Sequence, residues 1–252
     1  MRNPGAQQPN SNPNPTQQQQ QHHDNQTAII TNKTNRRHPG GSSPPEAHNQ
    51  PIADPLAHFL AIPWTARLLT DPSAFGIVVS DRRPLASGEK QFVRGVLNGE
   101  ATVRACVTFL VRVPPSPSSN GSGGGIGLLS KSKALLQGGG PQDGEDPEKP
   151  FLLFNALLDL GEGMCGFKGM LHGGAVVVLL DETMCAAANN QCDYTFTATM
   201  TTSFLSPVKL PGPVIVRSRV VRKQGRKIFV RGAIEDGDGE FYESRELYWQ
   251  HD

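Results

Sequence analysis

From Ala175 to Leu180 the chain is apolar at six consecutive positions. After Asp181, Glu182 and Thr183 the run resumes as Met184-Cys185-Ala186-Ala187-Ala188. A helix that is apolar all round is a buried helix. This one is too short to span a bilayer, which takes ~20 apolar residues. The pattern therefore predicts a helix over 173–188 enclosed by protein. Phe151 to Leu160 predicts a strand before it. Tyr194–Leu205, Val214–Arg222, Lys227–Glu235 and Glu240–Trp249 predict four strands after it. Gln224-Gly225 and Asp236-Gly237-Asp238-Gly239 supply turns, and Gly161 to Gly169 reads as a loop into the helix.

Upstream, Leu56, Phe59, Leu60, Trp64, Leu68 and Leu69 predict an amphipathic helix or helix pair interrupted at Pro63, docked on the later domain rather than on a membrane surface. Phe92–Leu97 and Val103–Val113 flank Asn98-Gly99, a strong hairpin signal, and the second run is β-rich. This piece is expected to add strands or a helix outside the core. Residues 1–50 are rich in Gln, Asn, Pro and Ser and cannot bury enough apolar surface to fold. His22-His23 reads there as part of a solvated tail. Residues 114–149, with two Gly-Gly-Gly runs, read as a flexible insertion. The expected order is a tail at 1–50, an accessory segment at 51–113, the insertion, and a folded domain at 150–252.

Composition agrees with this division: hydrophobic content is 37%, with 27 Gly and 21 Pro. A formal net charge of +1 gives no global basic surface for nucleic acid. Cys106, Cys165, Cys185 and Cys192 show no CxxC spacing and read as free thiols in a reducing compartment, with no metal site. No apolar signal segment opens the chain. The expectation is a cytoplasmic or mitochondrial protein, not a secreted one, with no stable membrane insertion.

Candidate chemistry sits at two places on the central helix. His172-Gly173-Gly174 stands where the first turn begins. The first N–H groups of a helix have no internal partner, and the helix dipole makes them attractive to negative charge. Glycine there lets a ligand reach the backbone, so this end could hold a developing oxyanion. Asp181 and Glu182 place carboxylates in apolar surroundings, where such groups are often functional. Glu182 leaves the axis ~100° from Asp181, so one serves the site and the other something else. Gly173 and Asp181 are eight residues apart, ~12 Å along the axis. That is too far for both to touch one small carbonyl. If both act in one reaction, they come from two antiparallel copies of the chain.

His-Gly-Gly, six mostly apolar residues and Asp together resemble the signature of the hotdog-fold acyl-CoA thioesterases, nearest to the long-chain branch of the thioesterase superfamily. The resemblance continues in Thr197-Ala198-Thr199-Met200-Thr201, in Phe204-Leu205-Ser206-Pro207-Val208 and in Gly225-Arg226-Lys227-Ile228-Phe229-Val230, and covers roughly 150–250. It implies an α+β hotdog fold, an antiparallel sheet wrapped around one buried helix. It implies hydrolysis of acyl-CoA to a carboxylic acid and coenzyme A, without a cofactor, by a homodimer or tetramer. Asp181 would then be general base or nucleophile, Gly173 the oxyanion donor, and Thr197 the hydroxyl that positions water. His172 would bond near the thioester or hold the loop, and Gly174 would contact substrate or permit the turn. Arg222, Lys223, Arg226 and Lys227 would meet the phosphates of coenzyme A or form a solvated turn. The sequence departs from some smaller relatives at Gly166, where an amide side chain helps hold the carbonyl. Cys165, beside it, is a poor substitute donor. A non-catalytic acyl-CoA-binding module remains the competing class. A hotdog hydratase would need His after Asp, and here His172 precedes Asp181.

Overall fold

The computed structural model describes residues 48–113, 138–192, 195–237 and, as backbone, 241–250. Two short helices, α1 (Pro55–Leu60) and α2 (Pro63–Leu69), lead into strand β1 (Ala74–Val79). A π-helical turn, Phe92–Val96, precedes β2 (Val103–Val111). After β3 (Leu153–Leu160), a small ribbon of β4 (Cys165–Phe167) and β5 (Met170–Leu171) leads to α3 (Gly173–Asn189). Then come β6 (Phe196–Phe204), β7 (Gly212–Gln224), β8 (Lys227–Glu235) and β9 (Phe241–Gln250). Seven strands form one antiparallel sheet in the order β1-β2-β3-β7-β8-β9-β6.

One face of this sheet holds α3. Val176, Leu179, Leu180, Met184 and Ala187 of the helix form a core with Val216, Val220, Ile228, Val230 and Ile234 of β7 and β8. Each fully buried large aliphatic side chain contributes about 1.5–3 kcal/mol. Gly232 lets the helix come close: a methyl group there would lie 2.9 Å from Met184 and 3.2 Å from Leu180. Ser218 Oγ donates to the Thr183 carbonyl at 2.7 Å and ties helix to strand. An antiparallel sheet around one buried helix is the hotdog arrangement.

The opposite face is covered by α1 and α2, whose Phe59, Leu68 and Leu69 pack with Val107, Phe109, Leu157 and Ile215. With both faces covered, β3 is buried at nearly every position and is apolar except at Asn155 and Asp159. A buried polar row also lies within the sheet. Arg217 Nε donates to Glu235 at 3.1 Å, and Arg217 Nη1 donates to Asn155 Oδ1 at 2.8 Å.

Several expected elements differ. The Asn98-Gly99 turn joins no hairpin, because Phe92–Val96 is helical and Asn98 makes only a bridge to Val103. Arg82 explains this: its guanidinium donates to the carbonyls of Val93 and Leu97 and to Asn98 Oδ1. The Val93 carbonyl is one that a first hairpin strand would have offered to its partner. Strand β1 has no clear period-2 pattern because its register breaks between Phe75 and Val78, with Gly76 at φ +59°. Strand β2 pairs with β3 along its whole length, so the 51–113 segment shares the sheet. The expected tail lies outside the described residues as far as residue 47, but Gln50 is buried and donates to the carbonyls of Ser80 and Cys106. Of the expected insertion, 114–137 lies outside the described residues. Residues 138–149 are held to the sheet, with Arg219 Nη1 donating to the Gly138 carbonyl at 3.1 Å.

Candidate active site

Helix α3 starts from His172, whose backbone is extended (φ −63°, ψ 133°) and whose Nδ1 accepts the Gly174 N–H at 2.9 Å. The His172 N–H donates to the Met164 carbonyl at 2.9 Å, fixing the helix entry to the preceding loop. His172 thus caps the helix and consumes the Gly174 donor. The Gly173 N–H, at the first helical position, has no acceptor among the described residues and stands at the positive end of the dipole. The Phe204 ring lies beside Gly173, since a methyl group on that residue would stand 3.4 Å from the ring. Gly166 sits behind His172, and a methyl group there would be 3.0 Å from His172 Cδ2. The missing amide side chain at that position therefore goes with a histidine seated close against the backbone.

Two turns further along, Asp181 is half-buried and accepts the Thr197 hydroxyl on Oδ1 at 2.8 Å. The structure brings these two candidates together from α3 and β6. Their strand end also lies near the basic hairpin. Phe196 is opposite Gln250, and Gln250 is opposite Lys227. At ~4.8 Å per strand, that is roughly 10 Å from hairpin to site. Within the hairpin, Arg222 stacks on Phe229 with its guanidinium carbon 3.9 Å from the ring centre, and Lys223 Nζ donates to the Gln191 carbonyl at 3.4 Å. Arg226 and Lys227 are exposed.

The Asp181–Thr197 pair and the Gly173 amide are not brought together within one chain. The helix keeps them ~12 Å apart. Phe204, at the Gly173 end, belongs to the candidate site although it was read only as part of a motif. Its cue is a large apolar residue closing the strand that carries Thr197.

Glu182 faces the other side of α3. Burial pushes its carboxyl above the ordinary range, Asp181 adds to this, and Lys90 and Arg82 oppose it. A carboxyl raised in the folded state favours folding below its unfolded pKa of ~4.3 and loses that contribution as pH rises through the folded value. Glu182→Gln removes the charge penalty. The variant should melt higher than the unsubstituted protein at neutral pH, and the gain should vanish below pH ~4. Thermal melts at both pH values check this; a gain that persists in acid contradicts it.

Among the described residues no cluster of three or more His, Cys, Asp or Glu is placed to hold a metal. No described helix is long and apolar enough to cross a membrane.

Residues 168–242 match the family model described as "Thioesterase superfamily". That segment contains His172, Gly173, Asp181, Thr197, Phe204 and the basic hairpin. The chain is 33% identical over 82 residues to "Acyl-coenzyme A thioesterase THEM4" of Xenopus laevis, covering 32% of this chain and 37% of that protein. It is 33% identical over 84 residues to the rat protein of that name, covering 32% and 35%. The match thus spans little more than a third of these relatives. Among solved structures, thioesterase superfamily member 2 of Mus musculus has a TM-score of 0.37 at 15% identity, covering 39% of this chain and 74% of that one. The E. coli PaaI protein of the phenylacetic acid degradation operon has a TM-score of 0.38 at 15% identity, covering 40% and 72%.

Proposed function

We propose that the chain hydrolyses acyl-CoA thioesters to the free carboxylic acid and coenzyme A, in the manner of a fatty-acyl hydrolase. The observation that carries this reading is the Asp181–Thr197 hydrogen bond, 2.8 Å long, at one end of an exposed edge strand. Asp181 takes a proton from water while the Thr197 hydroxyl holds the carboxylate and orients that water. The water oxygen bonds to the thioester carbonyl carbon. Negative charge then develops on the carbonyl oxygen, which the Gly173 N–H and the helix dipole receive. Collapse of the tetrahedral species breaks the C–S bond, and the departing thiolate takes the proton that Asp181 removed from water. Arg226 and Lys227 meet the coenzyme's phosphates.

The two halves of the site require a second copy of the chain. Strand β6 is an edge of the described sheet and exposes Phe196 (64%) and Phe204 (58%), with Leu205 (57%) just beyond its end. An exposed apolar edge strand is a pairing surface. Thr197 stands at one end of β6 and Phe204, beside Gly173, at the other. Antiparallel pairing of two β6 strands about Met200 and Thr201 sets Thr197 of one copy opposite Phe204 of the other. Each Asp181 then faces the partner copy's helix start, and two composite sites form. Light scattering on the full chain should give at least twice the monomer mass; a fully active monomer contradicts the composite site.

Free-thiol release from a panel of acyl-CoAs by the purified chain tests the activity itself. Turnover of at least one member supports the reading. Binding without release from any member leaves the acyl-CoA-binding module in its place.

A further inference from the structure

A cavity of about 180 Å³ lies on the side of α3 that carries Glu182, with Asp181 outside its lining. Val178 and Leu179 of α3, Phe154 and Leu158 of β3, and Val93 and Leu97 beside the π-helical turn give it apolar walls. Its charged groups are of two kinds. Some are already committed. Arg82 donates to two carbonyls and Asn98, Arg94 donates to the Arg83 carbonyl at 2.6 Å, and Asp81 is paired with Arg83 at 2.7 Å. Lys90 and Glu182 have no hydrogen-bond or ion-pair partner among the described residues. Lys90 also adopts φ +54°, a conformation uncommon for a residue with a side chain, and such outliers collect at binding sites.

We propose that this cavity binds a small monocarboxylate, its hydrocarbon body between α3 and β3 and its carboxylate at the Lys90 ammonium. The size fits. An engineered apolar cavity of ~150 Å³ takes benzene, whereas drug-sized ligands occupy about 300–1,000 Å³. A ring or a short alkyl chain fills this space, and a coenzyme A nucleotide does not. The sign of charge fits as well. Arg82, Lys90 and Arg94 outnumber Asp81 and Glu182 around the lining, which disfavours an amine. Burial raises the Glu182 carboxyl above its ordinary range, which lessens its opposition to an anion. The site is separate from the thioester site and does not rest on hydrolysis.

Hexanoate and hexan-1-ol, titrated calorimetrically against the full chain without acyl-CoA, test the proposal. Hexanoate should bind saturably and more tightly than the alcohol. Lys90→Ala, at an exposed position, should weaken hexanoate about three- to fivefold, the scale of an exposed charge pair, and leave the alcohol unchanged. Ala186→Leu, which fills the cavity from α3, should weaken both ligands more than tenfold. If that variant fails to fold, Lys90→Ala decides alone. Equal affinity for acid and alcohol, no saturable binding, or no response to Lys90→Ala overturns the site. So does hexanoate binding that survives Ala186→Leu but is lost in Asp181→Asn, which would put the carboxylate in the thioester site.

Discussion

Asp181→Asn lowers turnover of the best acyl-CoA by about 10²–10⁴-fold, the usual worth of a general base, and leaves acyl-CoA binding close to that of the unsubstituted chain. The split follows from position. The carboxylate faces Thr197, and in the proposed mechanism it acts on the water while the hairpin across the strand end meets the nucleotide. The fold persists, because an amide keeps the shape and its oxygen still accepts the Thr197 hydroxyl. Glu182→Gln changes turnover far less, since that side chain faces the cavity on the other side of the helix. Steady-state hydrolysis by the two variants separates them. Normal turnover in Asp181→Asn together with lost turnover in Glu182→Gln would mean that the catalytic face of α3 has been assigned to the wrong side.

The second large effect is on stability. Glu235→Ala leaves the Arg217 guanidinium, 4% exposed, without the carboxylate 3.1 Å from its Nε. Removing one partner of a buried ion pair costs about 3–5 kcal/mol, because the remaining charge stays out of water. For a protein of this size that corresponds to a fall in Tm of roughly 10 °C. Arg83→Ala breaks a pair whose members are both exposed and should change Tm by no more than a degree or two. Melting curves for both variants test the contrast. Equal small shifts would show that the Arg217–Glu235 pair adds nothing to the fold.

The central helix and the strands after it were legible because each carries a pattern of its own. Lys227–Glu235 was read with the bounds the structure gives β8, and the helix within one residue. These elements pack against one another close in sequence, so local pattern and final environment agree. The amino-terminal half was harder for two physical reasons. Strand β1 is broken by a bulge at Gly76, which erases the alternation a half-buried strand shows. The apolar run at Phe92 becomes a π-helical turn because Arg82, ten residues earlier, takes its carbonyls. A side chain that reaches across a fold leaves no periodic trace. The same holds for Arg217, Asn155 and Glu235, three polar residues on three strands that look like surface positions until the helix pair covers them.

At the candidate site, the motif pointed to Asp181 and Thr197, and the structure places them in contact. His172 as a cap for Gly174, and Phe204 beside Gly173, needed coordinates, because neither depends on spacing along a single element. The 12 Å between the two ends of the site was readable from helix rise alone. That distance makes the proposed mechanism a property of two chains.

Mixing two inactive variants tests this most directly. Asp181→Asn removes the base. Gly173→Pro removes the amide donor at the first helical position, where proline fits the helix and the extended backbone of His172 suits a following proline. When the two variants are produced together, a mixed dimer holds one site with both lesions and one with neither. With random pairing, half the dimers are mixed and half of their sites are intact, so activity should return to about a quarter of the unsubstituted level. A mixture as inactive as either variant alone, with mixed dimers present, would contradict a site shared between two chains.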